Sequence, residues 1–291
     1  MPGREERYRR TPQEVDPRGV INQGIEQLLR ELQQGKSARL ERYLAFTARF
    51  HRYSANNQML IYVQCPNASF VAGYKTWQEM GYQVARGQKG IRILAPRPYK
   101  KVNAETQAED KGLYFVTVSV FDASQLLDVD KKPLPTFFRP LGDDQQEFYA
   151  RLFRIVAADG ITINEQQTGR AQGFSAGGRI ALTEGLDSRN KALTLIHEYA
   201  HELLHWDAEG KHQSKQVKEC HAEAVSYVVA HHFGIHNPFS ADYLQNWGNT
   251  PKELLAELET VRRTAAYIID RLEAGAKAGD ESEVPQDTVP V

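Results

Sequence analysis

Residues 193–206 read LTLIHEYAHELLHW and hold two overlapping copies of one pattern. His197-Glu198-Tyr199-Ala200-His201 is one H-E-x-x-H, and His201-Glu202-Leu203-Leu204-His205 is the other. On a helix, two histidines four apart lie one turn above each other and can reach one ion. The glutamate after the first histidine then stands where it can take a proton from the water that the ion activates. The surrounding run, NKALTLIHEYAHELLHW, has no proline or glycine, and we read one helix over about 187–207. Spacing alone does not choose between the two copies.

A catalytic zinc takes three protein ligands and keeps a fourth position open. The next helix, about 213–233, offers Glu219, His221 and Glu223. Glu219 and Glu223 are one turn apart on one face, whereas His221 points about 200° away from Glu219. Glu219, eighteen residues after His201, is our third ligand in a gluzincin-like arrangement. Glu223 is then placed to orient a ligating histidine, and it is the alternative ligand. His205 reads as a packing or supporting histidine, and His212, His231, His232 and His236 as solvated or loop positions. Upstream, GRIALTE (178–184) is expected to run beside the site as an edge strand against which an extended peptide could pair.

The 291 residues are 41% hydrophobic and 25% charged, as in soluble proteins, and are enough for two domains. No apolar run approaches the roughly 20 residues that span a bilayer. MPGREERYRR at the start lacks the apolar stretch of a secretory signal. Cys65 and Cys220 are too few for a cysteine zinc site or a disulfide framework. The expectation is a cytoplasmic protein without a membrane partner. Charge is divided unevenly. Residues 1–140 carry 22 Lys/Arg against 14 Asp/Glu, and residues 141–291 carry 14 against 23.

The expected fold class is α+β with two domains. A disordered arm (1–18) precedes a small helix-plus-sheet domain (19–128). It opens with helices over about 19–34, from Ser37 as cap, and up to Pro66. The strand IRILA, a polar hairpin loop over 97–112 and the β-rich run LYFVTVSVFD follow. A linker with three prolines (129–142) leads to a second, zincin-like domain (143–274). It has a helix at 143–158, strands in ITINEQ and GRIALTE, the two long helices, and a last helix capped by Thr250. An acidic disordered tail (275–291) closes the chain.

FHRYSANNQMLIYVQCPNASFVAGYKTWQEMGYQVARGQKGIRILAP (50–96), with FVTVSVFDASQL (115–126), resembles the N-terminal domain of the ArdC antirestriction proteins. That domain binds single-stranded DNA in the family. The C-terminal half resembles the ArdC metallopeptidase domain and, more distantly, the ImmA/IrrE metallopeptidases. Together the two likenesses span about residues 19–235. The resemblance selects the first register: His197 and His201 as ligands, Glu198 as catalytic base, and His205 in the "LLH" extension. Glu219 falls on the family's third ligand, with Glu223 on the polar position four residues later. It implies Zn2+ as cofactor and single-stranded DNA as partner, with double-stranded DNA and a protein or peptide substrate left open. The implied setting is a mobile element protecting incoming DNA against restriction. His221 stands where a variable residue is expected, so it stays an alternative ligand, and the last helix has no counterpart. Two other functions stay open: a DNA-binding factor with a structural metal, and an ImmA-like peptidase that cuts a repressor.

Residues 36–100 contain eleven basic and two acidic residues interleaved with aromatics. Positive charge neutralises phosphates and exposed aromatics stack on unpaired bases, although about half of these aromatics must be core. The contact candidates are Arg86, Lys89 and Arg92 around RGQKGIR, with Lys75, Trp77, Tyr53, Asn56 and Asn57. The two asparagines are equally placed to cap the turn between helices.

Overall fold

A computed structural model describes residues 16–102, 109–127, 145–206, 210–237 and 249–280. Helix α1 (Pro17–Gln33) begins inside the expected arm, because the Asp16 carboxylate accepts the N–H groups of Arg18 and Gly19 and Pro17 presets the first turn. Gly35, at φ 71°, ends it. Helix α2 (Ala38–Phe50) follows Ser37, whose side chain makes no capping bond, contrary to expectation. Helix α3 (Ala55–Gln64) is capped by Ser54. Apolar residues at helical spacing on α1–α3, among them Leu28, Leu44 and Leu60, are buried.

Strand β1 (Val71–Gly73), helix α4 (Tyr74–Glu79), β2 (Ile91–Val102) and β3 (Glu109–Asp122) follow, in an antiparallel sheet of order β1-β3-β2. The ribbon β2–β3 is longer than expected. Most of the predicted loop at 97–112 is strand, paired from Ile91↔Val120 out to Val102↔Glu109. Its outer half is exposed at Arg97–Lys100 and Leu113–Phe115, so polar residues there signal solvation rather than a turn. Pro96 and Pro98 are tolerated because β2 is an edge strand. That edge is partly covered by α3. Asn57 bonds both main-chain groups of Leu94, and Gln64 both of Arg92, each bond at 2.9 Å.

Beyond the expected linker, which lies outside the described residues, come α5 (Gln145–Ala158), β4 (Thr162–Gln166), β5 (Gly173–Ser175) and β6 (Arg179–Thr183). Helices α6 (Ser188–Leu204), α7 (Lys215–His232) and α8 (Pro251–Asp280) complete the chain. The second sheet has the order β4-β6-β5, with β4 parallel and β5 antiparallel to β6. GRIALTE therefore forms the central strand, not the edge. The edge strand beside the helices is β5, too short to show a period in the sequence. Thr250 and Glu253 cap α8 reciprocally: Thr250 Oγ1 accepts the Glu253 N–H, and the Glu253 carboxylate accepts the Thr250 N–H. The helix continues past the expected tail boundary to Asp280, and residues 281–291 are outside the described set.

One buried cluster runs from α1–α3 through α7 and α8 to α5, α6 and β6. The helices on either side of the expected domain boundary thus share a core. Polar bonds cross it as well. Arg52 bonds Asp270 and Glu273, and the Ala55 N–H meets Glu259 at 2.8 Å. His232, expected at the surface, is buried between the Ala48 carbonyl (2.8 Å) and Glu273 (3.0 Å). Among the described residues no helix is long and apolar enough to cross a membrane.

Asp159, just after α5, accepts bonds from Tyr199 of α6 and from Tyr267 and Arg271 of α8. Burial alone would raise its pKa, but the bonds from Arg271, Tyr199 and Tyr267 outweigh burial and hold it below the usual value. The stability this gives is present above the unfolded carboxyl pKa of about 3.9 and is lost as pH falls through the folded value. We expect Asp159→Asn to lower the unfolding free energy by about 2 kcal/mol at pH 7. The difference from wild type should shrink at pH 3, as read from urea denaturation at both pH values.

Candidate metal centre

The apolar side of α6 buries Leu195, Ile196, Tyr199 and Ala200, and this fixes which way its polar residues face. Three donor atoms meet where α6 crosses α7. His197 Nε2 lies 3.2 Å from His201 Nε2 and 3.4 Å from Glu219 Oε2, and His201 Nε2 lies 3.6 Å from the same oxygen. A tetrahedral ion with bonds of about 2.0–2.1 Å separates its ligands by about 3.4 Å, so this triangle fits one face of such a site. It is the group of this kind found among the described residues.

Glu223 Oε2 stands 3.6 Å from His197 Nδ1, on the side of the ring away from the triangle. Burial pushes the His197 pKa down, but Glu219 and Glu223 overcome it and raise it to about 9. Hydrogen bonds from His197 and His201 in turn hold the Glu219 carboxyl far below its usual range. The cluster therefore favours positive charge at its centre. Glu198 is buried beside it, and burial raises its pKa against the opposing pull of His197 and His201. A cavity of about 930 Å³ opens over these groups, walled by His197, Glu198, Glu219 and the β5 residues Gly173, Phe174 and Ser175. Gly173 permits this approach: a Cβ there would lie 2.7 Å from Thr194 and 2.9 Å from the Ala181 carbonyl oxygen.

The other register is engaged elsewhere. Glu202 accepts the N–H groups of Ala176, Gly177 and Gly178 at 3.1, 2.9 and 2.7 Å. These belong to the β5–β6 turn, where both glycines have positive φ. His205 is buried, with Nδ1 2.9 Å from His201 Nδ1 and Nε2 3.4 Å from His221 Nδ1. His221, the alternative ligand, lies outside the triangle and reaches Glu257 of α8.

The nucleic-acid candidates scatter. Arg86, Lys89, Lys75 and Asn56 are exposed. Arg92 is half-buried and bonds Ser119. The Tyr53 hydroxyl donates to the Val71 carbonyl, and Asn57 is committed to Leu94. Trp77 is fully buried, with its indole N–H donating to the Phe121 carbonyl, so it presents no face to a base. This corrects its assignment as a contact.

Residues 19–121 match the family described as the N-terminal domain of anti-restriction factor ArdC. The fold matches the antirestriction protein ArdC of plasmid R388, with a TM-score of 0.58 for its metal-free structure and 0.55 for its Mn(II)-bound structure. Identity is 18% in both, over 89% and 88% of this chain and 98% of ArdC. Residues 19–121 are thus similar to the ArdC N-terminal domain, and the chain has the ArdC fold. An uncharacterized protein of Bacillus anthracis is 25% identical over 276 residues, 78% of this chain. The chain spans about half of that relative, 46% of its length.

In this ArdC-like chain the surface that sequence reading missed is the outer ribbon. Tyr99, Leu113, Tyr114 and Phe115 are 40–63% exposed there. Arg97 pairs with Tyr114 across the strands, and the Tyr99 and Tyr114 rings lie 6.4 Å apart on the same face. The alternation in RPY was the available signal, obscured by reading the segment as a loop. Glu202 yields a direct check. Its replacement by Ala should remove about 1–2 kcal/mol of stability by releasing the β5–β6 turn, seen as a lower thermal midpoint with the helical circular dichroism preserved.

Proposed function

We propose that this ArdC-like chain is a zinc-dependent metallopeptidase-type hydrolase that holds single-stranded DNA and acts in antirestriction. The triangle of His197, His201 and Glu219, with Glu198 buried beside it at the floor of an open cavity, carries this reading. The Mn(II) reported for the R388 protein supports a divalent site. Two nitrogens and one carboxylate at tetrahedral spacing favour zinc. When bound, the ion supplies Lewis-acid polarisation of a carbonyl and acidifies water.

Glu198 acts as general base on the attacking water and then delivers that proton to the leaving amine. Its raised pKa brings it toward the range where it can both take and return a proton. Glu223 orients His197. The edge strand β5 runs along the cavity, where an extended peptide can add as a further strand. The N-terminal and C-terminal parts are proposed to act as DNA-binding and hydrolytic halves on their shared core.

Purified protein should contain about one zinc per chain, lost in His197→Ala and Glu219→Ala and kept in Glu198→Gln. Zinc retained in both ligand variants would refute the site. In cells, Glu198→Gln should lose protection of incoming DNA, and unimpaired protection would show that hydrolysis is not needed. On the ribbon, Tyr99→Ala with Tyr114→Ala should weaken binding of a labelled oligothymidylate by tenfold or more, since stacking contributes about 1–3 kcal/mol per base. Loss of affinity should appear in fluorescence anisotropy without a change in the thermal midpoint.

A further inference from the structure

His201 is connected by its second ring nitrogen to a row of groups that ends on α8. Its Nδ1 meets His205 Nδ1 at 2.9 Å, His205 Nε2 meets His221 Nδ1 at 3.4 Å, and His221 Nε2 bonds the Glu257 carboxylate. The His205 and His221 rings are parallel to within 8°, and both residues are almost wholly buried. A neutral imidazole has one donor and one acceptor nitrogen. A carboxylate only accepts. For three neutral rings those two rules leave a single consistent assignment of protons.

Glu257 requires the proton of His221 to sit on Nε2, which leaves Nδ1 as an acceptor. His205 must then carry its proton on Nε2 and accept on Nδ1. His201 must donate from Nδ1, and its Nε2 keeps a free lone pair. That Nε2 is the atom facing His197 and Glu219. We propose that Glu257, through His221 and His205, is a positioning residue that fixes the metal-binding tautomer and ring orientation of His201. The inference rests on the metal-centre reading for its effect on affinity, but the order of protons is independent of that reading. It extends the centre to α8, which makes the last helix part of the site rather than an appendage. The final proton acceptor is 56 residues downstream of the ligand it controls.

The test uses the full chain labelled with nitrogen-15 histidine. Long-range proton–nitrogen spectra distinguish the two tautomers of each ring, and His205→Gln and His221→Gln assign the signals. In wild type, with and without zinc, we expect His201 as Nδ1–H and both His205 and His221 as Nε2–H. Glu257→Ala should give mixed tautomers at His205 and His221, whereas Glu257→Gln, whose amide oxygen can still accept, should restore the wild-type pattern. Zinc affinity, measured by competition with a chromogenic chelator, should fall ten- to a hundredfold in Glu257→Ala and stay within about threefold of wild type in Glu257→Gln.

An Nδ1–H form of His205 or His221 in wild type overturns the proposal, and this readout stands even if Glu257→Ala does not fold. So do unchanged tautomers and zinc affinity in a folded Glu257→Ala. If wild type binds zinc no better than His197→Ala, the metal reading fails instead, and the metal-free spectra still decide the proton order.

Discussion

An imidazole or carboxylate buried among apolar side chains destabilises a fold unless its polar atoms find partners, and α6 and α7 bring several into one interface. His197 lies between Glu219 and Glu223, His205 between His201 and His221, and His221 ends on Glu257. Meeting this requirement sets much of the rest. The crossing of α6 and α7 must bring the donors within bonding range, and α8 must pass close enough to supply a carboxylate. The turn between β5 and β6 must sit where Glu202 can fill its hydrogen-bonding capacity.

Helix α8 does more than end a bundle. It packs on helices from both parts of the chain and places Glu257, Asp270 and Glu273 against His221, Arg52 and His232. Removal of its charged residues would take a carboxylate partner from buried histidines in two places at once. The DNA-binding and hydrolytic halves proposed here therefore rest on one mechanical unit, even though their charges differ in sign.

The legible parts of the sequence were those with a period. The helix LTLIHEYAHELLHW and the face shared by Glu219 and Glu223 follow from 3.6 residues per turn, and the structure brings these residues together. What distance in sequence conceals was not legible. Nothing near His221 announces Glu257, and nothing near Glu202 announces the main-chain N–H groups of residues 176–178. Aromatic residues were ambiguous for another reason. Trp77 and Tyr99 occur in the same basic block, and only packing makes the first a core residue and the second a surface one. The edge position of β5 escaped because strand order is a property of the sheet and not of any one strand.

The bare α-carbon of Gly173 has a consequence for the aperture above Glu198. The strand presents only its backbone there to the Thr194 and Glu198 side chains of α6, so on the strand side the gap is set by atoms that have no rotamers to change. A methyl group at 173 would act as a wedge against Thr194 and the Ala181 carbonyl, lifting the edge strand and admitting bulk water to the carboxylate below. The close approach of edge strand to helix beside Glu198 thus depends on an absent side chain.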